Sequence, residues 1–286
     1  MKYLTKLSMI NSKILNLSIV IPTLGEDVLN DCIASIFNSS IMPTEIIIVI
    51  PKKFSNINNS LASNNYIKII YSEDMGQVNQ KIIGFKAAKC KYVMQLDSDI
   101  ILHKNTIKNL HDSLIKFTNP AAVAPFISNG SKILYTNNRS YLFNLLRNII
   151  INKTTYHKPG IINYFGYNTW FEDYIPKSLT TVEWLPGGCI IFEAKSLIKY
   201  NYFPFKGKAY CEDVFHSLEL SNNGVHLLFD PNSYVTNKGS DIEKKTIMSI
   251  AKEFRIRYSL LKRVKGNQLM FLIWFSIYFF KSFLQK

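Results

Sequence analysis

The chain has 286 residues, 47% of them hydrophobic, a net charge of +14 and an isoelectric point near 9.5. That length and apolar content exclude a disordered chain and suffice for a large α/β core, with or without an appendage. The charge implies an anionic partner, among nucleic acid, acidic lipid headgroups and phosphorylated small molecules. No zinc-finger spacing, RNP-type aromatic motif or basic region with heptads is present, so no nucleic-acid partner is expected. Cys32, Cys90, Cys189 and Cys211 form no CxxC pair. They read as buried free thiols in a reducing compartment rather than as zinc ligands or a disulfide framework. Lys2 and Lys6 precede only short apolar pieces, and secretion is not expected.

The first apolar run, Leu17 to Ile21, ends at Pro22-Thr23 and reads as a strand. Asp27 to Phe37 follows with Val28, Leu29, Cys32, Ile33 and Ile36 on one helical face. Ile46 to Ile50, stopped by Pro51, and Tyr66 to Tyr71 are further strands, and Gly76 to Ala88 has helical spacing. Tyr92 to Leu96 is a fourth strand, running directly into Asp97-Ser98-Asp99. A helix over Lys104 to Phe117 leads to a strand at Ala121 to Phe126. Continuously apolar strands alternating with amphipathic helices imply a mostly parallel central sheet covered on both faces. In such sheets ligands collect beyond the carboxyl ends of the strands, where Pro22-Thr23 and Asp97-Ser98-Asp99 fall.

Residues 128–182 are rich in Asn, Tyr and Phe and read as an irregular insertion with a helix near Tyr141 to Ile151. Strand pattern returns over Val182 to Phe192, broken by Pro186-Gly187-Gly188. The glycines either let backbone approach a ligand or make a tight turn. Cys211 to Leu220 is a helix whose acidic first turn, Glu212-Asp213, is at least a favourable cap. Val225 to Phe229 and Tyr234 to Thr236 read as a final pair of short strands. The end of the chain changes character: Lys252, Arg255, Arg257, Lys262, Arg263 and Lys265 precede the apolar, aromatic run Leu269 to Phe280. That run is shorter than the ~20 residues a bilayer crossing requires. It suits contact with an anionic membrane surface, or else a helix that closes a core or a dimer interface.

The pair Asp97 and Asp99 carries the chemistry. Carboxylates at the end of a buried strand need a cation, a donor or water. A Mg²⁺-like ion takes one or two carboxylates together with phosphate oxygens; an Asp-rich turn is the plainer alternative.

In order and spacing these residues resemble inverting glycosyltransferases of family 2, which have the GT-A fold. Ser18 to Thr23 resembles the family's opening strand. Gly84, Ala88, Tyr92 and Leu96-Asp97-Ser98-Asp99 match the approach to its metal-binding motif. Trp184-Leu185-Pro186-Gly187-Gly188 and Glu212-Asp213 resemble its glycine strand and its acidic pair. The resemblance implies an α/β GT-A domain over 1–245; the basic, hydrophobic helical tail over 246–286 is expected from its own pattern to associate with the membrane. It implies a nucleotide-sugar donor and a divalent cation (Mn²⁺ or Mg²⁺) held by Asp99, with Asp97 and Asn237. Asp213 is the expected general base, with Glu212 as orienter or substitute. Pro22, Thr23, Lys81, Asp97, Gly187 and Gly188 line the donor site. The acceptor is expected to be a saccharide or lipid-linked glycan of the cell envelope, at the inner, cytoplasmic face of the plasma membrane. The Gln-x-x-Arg-Trp signature of processive synthases is absent, which suggests one sugar per encounter. The chain departs from the pattern at Pro51-Lys52-Lys53, where the family has an Asp-rich turn, at Lys81 in place of an arginine, and at Asn237 in place of a histidine. A sugar-nucleotide pyrophosphorylase, or a non-catalytic module with a decayed site, are the alternatives.

Overall fold

The structure is a computed structural model. It describes residues 13–54, 61, 63–128, 158–169, 171, 175–205, 209–239 and 246–284. The segment before Lys13 and the helix expected at Tyr141 to Ile151 lie outside the described residues. The chain divides into two compact units, one of Met1–Ile133 with Pro176–Gly239, the other of Leu134–Ile175 with Ser240–Lys286. The insertion and the tail, read separately in the sequence, thus fall largely in one unit.

The first unit alternates strand and helix as its hydrophobic pattern dictates. Its elements run β1 (Lys13–Pro22), α1 (Val28–Phe37), β2 (Ile41–Pro51), β3 (Ile67–Ser72), α2 (Gln77–Ala87), β4 (Tyr92–Leu96), β5 (Ile100–Leu102), α3 (Thr106–Ile115), β6 (Ala121–Ser128), β7 (Thr180–Thr181), β8 (Cys189–Glu193), α4 (Glu212–Asn222) and β9 (His226–Asn237). All described strands join one sheet in the order β3-β2-β1-β4-β8-β6-β9-β5, with β7 also on β9. The block β3-β2-β1-β4 is parallel, as buried apolar runs require. Beyond β4 the sheet is mixed, because β8 runs antiparallel to both β4 and β6.

One sheet face, through Ile19, Ile46, Met94 and Ile191, packs on Leu29, Ile33 and Ile36 of α1 and Ile107 and Leu110 of α3. On α2 the absence of a side chain at Gly84 lets the helix approach Val20 and Val49. β9 is continuous where two short strands were expected. Asp230-Pro231-Asn232 resembles a turn, but the segment is a bulge: the ladder to β6 shifts between Pro125 and Phe126. Asp230 accepts hydrogen bonds from Ser113 and Ser233, which satisfies the irregular backbone's neighbouring carboxylate. No disulfide joins the four cysteines.

The second unit contains an antiparallel hairpin of α5 (Ile247–Arg263) and α6 (Gln268–Leu284). Thr246 and Ser249 form a capping box at the start of α5. Its core joins Ile250, Leu261, Phe271 and Phe275, with Tyr167 of the segment 158–169 packed against it. No helix among the described residues is long and apolar enough to cross a membrane.

Candidate active site

The sheet fixes the positions of the acidic residues. β1 and β4 are parallel neighbours with Val20 opposite Gln95, so Pro22 and Asp97 leave the sheet at about the same level. The Asp97 amide donates to the Gly188 carbonyl (2.8 Å), and the Asp97 carbonyl accepts from the Ile100 amide (3.1 Å). This tight turn delivers Asp99 to the start of β5. β5 pairs antiparallel with β9, Ile100 opposite Asn237, and the Lys238 amide donates to the Asp99 carbonyl (2.8 Å). Asp99 and Asn237 are therefore neighbours across two strands. A Cβ placed on Gly239 would collide with Asp99 Oδ2 and lie 2.9 Å from Asn237 Oδ1. Two oxygen donors thus share the space left by a missing side chain.

Beside this pair lies a buried charged cluster. Lys81 of α2 is fully buried. Its Nζ is 2.5 Å from Glu212 Oε1 and 3.8 Å from Asp97 Oδ1. Tyr202 donates its phenolic proton to Glu212 Oε2 (2.8 Å), so both oxygens of Glu212 have partners. Gln77 Nε2 lies 3.2 Å from each Asp97 oxygen. Gln95 donates to the Gly187 carbonyl. A Cβ on Gly187 would stand 3.0 Å from Glu212 Oε1 and 3.2 Å from Asp213 Cβ; the turn before β8 therefore carries a glycine because the acidic pair occupies the adjoining space. Cys211, with φ 57° in the left-handed region, turns the chain into α4. Asp213 Oδ1 accepts from the Val214 amide (2.9 Å).

The adjacent carboxylates Glu212 and Asp213 have opposite electrostatics. Burial alone would raise Glu212, but the charge and hydrogen bond of Lys81 outweigh it and hold the carboxyl below its ordinary range. Burial alone would likewise lower Lys81, but Glu212 and Asp97 outweigh it and raise it. The pair is thus ionised. For Asp213 the balance is reversed: burial, and then the Glu212 charge beside it, push it up to about 7, against the Val214 amide and the charge of Lys81. Asp97 is pushed up to about 6 by burial, with Lys81 acting against the rise. Burial also raises Asp99, and Glu26 adds to the rise. His216 is buried, lowered to about 4 by its burial, and stacked on Tyr202 at 4.8 Å.

The candidate residues therefore form connected groups. Asp97, Lys81, Glu212, Asp213, Gly187 and Gly188 adjoin one another, and Asp99 meets Asn237. Thr23 organises the turn after β1: its hydroxyl donates to Glu26 (2.8 Å) and accepts from the Gly25 amide (3.0 Å). Its carbonyl accepts from Gln80 (2.8 Å). Lys81, expected beside phosphate, pairs with Glu212 and lies 3.8 Å from Asp97. Lys52 pairs with Glu73 at an exposed position. Gln77, Gln95, Tyr202 and Glu26 were not singled out in the sequence. Gln77 lies four residues before Lys81, hence on the same helical face; Tyr202 has no local signal. Among the described residues no three of His, Cys, Asp and Glu gather as a metal-ligand set.

A mixed α/β sheet with carboxylates gathered at its strand ends is consistent with the GT-A fold of nucleotide-sugar transferases. The chain matches the family described as glycosyl transferase family 2 over residues 18–174, and it belongs to that family. It is thus a glycosyltransferase in the general sense, with a nucleotide-sugar donor and a glycan acceptor. No protein with a curated description matches it. The family match ends before Gly187, Glu212 and Asp213, so their place at the site rests on geometry.

Proposed function

We propose that the protein transfers a single sugar from a nucleotide-sugar donor to a saccharide or lipid-linked glycan of the cell envelope, with inversion at the anomeric carbon. The observation that carries this reading is the convergence of Asp97, Lys81, Glu212 and Gly187 at the carboxyl end of β4, in the middle of the sheet, with Asp213 beside them.

Asp213 is the general base. It takes the proton of the acceptor hydroxyl, and the resulting oxygen forms a bond to the anomeric carbon as the bond to the diphosphate oxygen breaks. The nucleoside diphosphate leaves with that electron pair. Direct displacement needs no covalent enzyme intermediate. Glu212 is the positioning residue rather than a second base: Lys81 and Tyr202 occupy its oxygens and keep it ionised. Its fixed negative charge keeps the proton affinity of Asp213 high. Asp97, held by Gln77 and Lys81, faces the donor, with Pro22 and Thr23 lining the same side.

A divalent cation would be held by Asp99 and Asn237, whose Oδ2 and Oδ1 both lie beside Gly239; Asn237 Oδ1 accepts from the Gly239 amide (2.6 Å) and has a second lone pair for the ion. Hard cations such as Mn²⁺ and Mg²⁺ accept a small number of protein oxygens and complete their shell with phosphate and water. When bound there, the cation supplies neutralisation of the diphosphate charge.

The experiment is a panel of sugar nucleotides assayed for transfer, with chelator and with Mn²⁺ restored. Asp213→Asn is expected to lower transfer by roughly 10²–10⁴-fold while donor affinity, measured by calorimetry, stays near that of the parent. Asp99→Ala is expected to lower donor affinity in the presence of Mn²⁺. Full transfer activity in Asp213→Asn sinks the base assignment; failure to bind any sugar nucleotide sinks the reading.

A further inference from the structure

The α5–α6 hairpin buries only one side of α6. Phe254 meets Phe275 with ring centroids 5.0 Å apart, Tyr258 meets Phe271 at 5.9 Å, and Tyr278 donates to Glu253 (2.6 Å). These contacts use the side of α6 that carries Phe271, Phe275 and Tyr278. On the other side Leu269, Leu272, Ile273 and Ile277 are 67%, 47%, 49% and 56% exposed. Their spacing of three and four places them in one stripe. Isolated exposed aliphatics are ordinary, but a contiguous row of them marks an interaction surface.

Charge indicates what covers the stripe. Residues 254–286 contain seven Lys and Arg and no Asp or Glu. Arg255, Lys262, Arg263 and Lys265 are exposed, and the last three lie in or beside the turn that leads to the Leu269 end of the stripe. Two copies meeting through this segment would bring these cations together with no acid from the same segment to neutralise them. A surface that is apolar inside and anionic at its edge complements both features. α6 has 17 residues, about 26 Å at 1.5 Å per residue, and it is not long and apolar enough to cross a bilayer. An amphipathic helix of this kind lies in the plane of the interface.

We propose that α6 docks the protein onto an anionic lipid bilayer. Leu269, Leu272, Ile273 and Ile277 sit at the boundary between headgroups and acyl chains, and Lys262, Arg263 and Lys265 sit among the anionic headgroups. This surface goes beyond the transfer reaction and does not depend on it. Its consequence for that reaction is a donor site kept near lipid-linked acceptors.

The test is co-sedimentation of the full chain with vesicles of phosphatidylcholine alone and of phosphatidylcholine mixed with phosphatidylglycerol. The parent is expected to bind the anionic vesicles at least tenfold more tightly. Each cation near an anionic surface contributes roughly fivefold in partitioning, so Lys262→Gln/Arg263→Gln/Lys265→Gln is expected to weaken binding on the order of a hundredfold. Ile273→Ser/Ile277→Ser is expected to weaken it by about tenfold or more. Both variants alter exposed positions, so circular dichroism and thermal unfolding should match the parent. Absence of binding, equal binding to neutral vesicles, or variants that bind like the parent would each overturn the proposal. So would a dimer, seen by sedimentation, that Ile273→Ser/Ile277→Ser converts to monomer while vesicles remain unbound. Vesicle binding involves no turnover, so a failure of sugar transfer leaves this outcome separately readable.

Discussion

Glu212 and Asp213 are consecutive residues with different electrostatic surroundings, and the difference assigns their roles. Lys81 and Tyr202 both hydrogen-bond to Glu212, so Glu212 stays charged, while burial and the Glu212 charge outweigh the pull of Lys81 on Asp213 and keep its proton up to about pH 7. A base of this kind is active only when deprotonated. The transfer rate at low substrate should therefore rise about tenfold per pH unit on the acid side and level off above about pH 7. A profile flat between pH 5 and 8 would remove Asp213 as the base. The same shift has a stability counterpart. A carboxyl whose folded value lies above its unfolded value binds its proton more tightly in the folded state, so its effect on stability is nil at low pH. It becomes unfavourable as pH rises from about 4 through about 7. Asp213→Asn removes that unfavourable charge. Its Tm is expected to exceed the parent's near pH 8 and to match it near pH 4, an exchange of stability against activity common at catalytic sites.

At the scale of elements, the site depends on which strands pair. β5 has three residues, and its pairing with β9 sets Asp99 against Asn237. Gly239 keeps the space between their oxygens open without requiring an unusual backbone angle. Gly239→Ala is therefore expected to change thermal stability little, since the residue is exposed and the atom its Cβ would meet is the far end of the Asp99 side chain, which can turn aside. The same substitution should weaken Mn²⁺-dependent nucleoside diphosphate binding by on the order of tenfold, read by calorimetry, because one methyl group enters the cradle. Unaltered binding would place the cation elsewhere.

This pairing also marks the limit of what the sequence conveys. β1, β2, β3 and β4 were legible because each is a continuous apolar run, and α1 and α2 because their apolar residues recur at helical spacing. β5 was not, since three residues carry no period and its strand character comes from β9, more than a hundred positions away. β9 was read as two strands because Asp230-Pro231-Asn232 has the composition of a turn, and only pairing with β6 makes it a bulge. The acidic pair and the glycine strand were legible as motifs. The inward fate of Lys81 was not, because a lysine on a helix gives no sign of which carboxylate will enclose it, and Tyr202 contributes through a contact that no spacing encodes.

At the scale of the whole molecule, the named donor-site residues and the proposed docking surface belong to different compact units. Pro22, Lys81, Asp97, Asp99, Gly187, Glu212, Asp213 and Asn237 lie in one; α5 and α6 lie in the other. Each unit has its own buried cluster, so damage to one core should be separable from the chemistry of the other. Phe271 is fully buried between α5 and α6, and truncating such a phenylalanine costs about 3–5 kcal/mol. Phe271→Ala should loosen the hairpin and weaken vesicle binding, because the stripe on α6 loses the packing that aligns it. The same variant should retain nucleoside diphosphate affinity within about twofold, since none of the donor-binding residues relies on that cluster. Asp99→Ala is expected to do the reverse, lowering nucleotide affinity with vesicle binding unchanged. Calorimetry and co-sedimentation on the two variants give four measurements, and loss of nucleotide binding in Phe271→Ala would show that the two activities are not separable as the division of the chain implies.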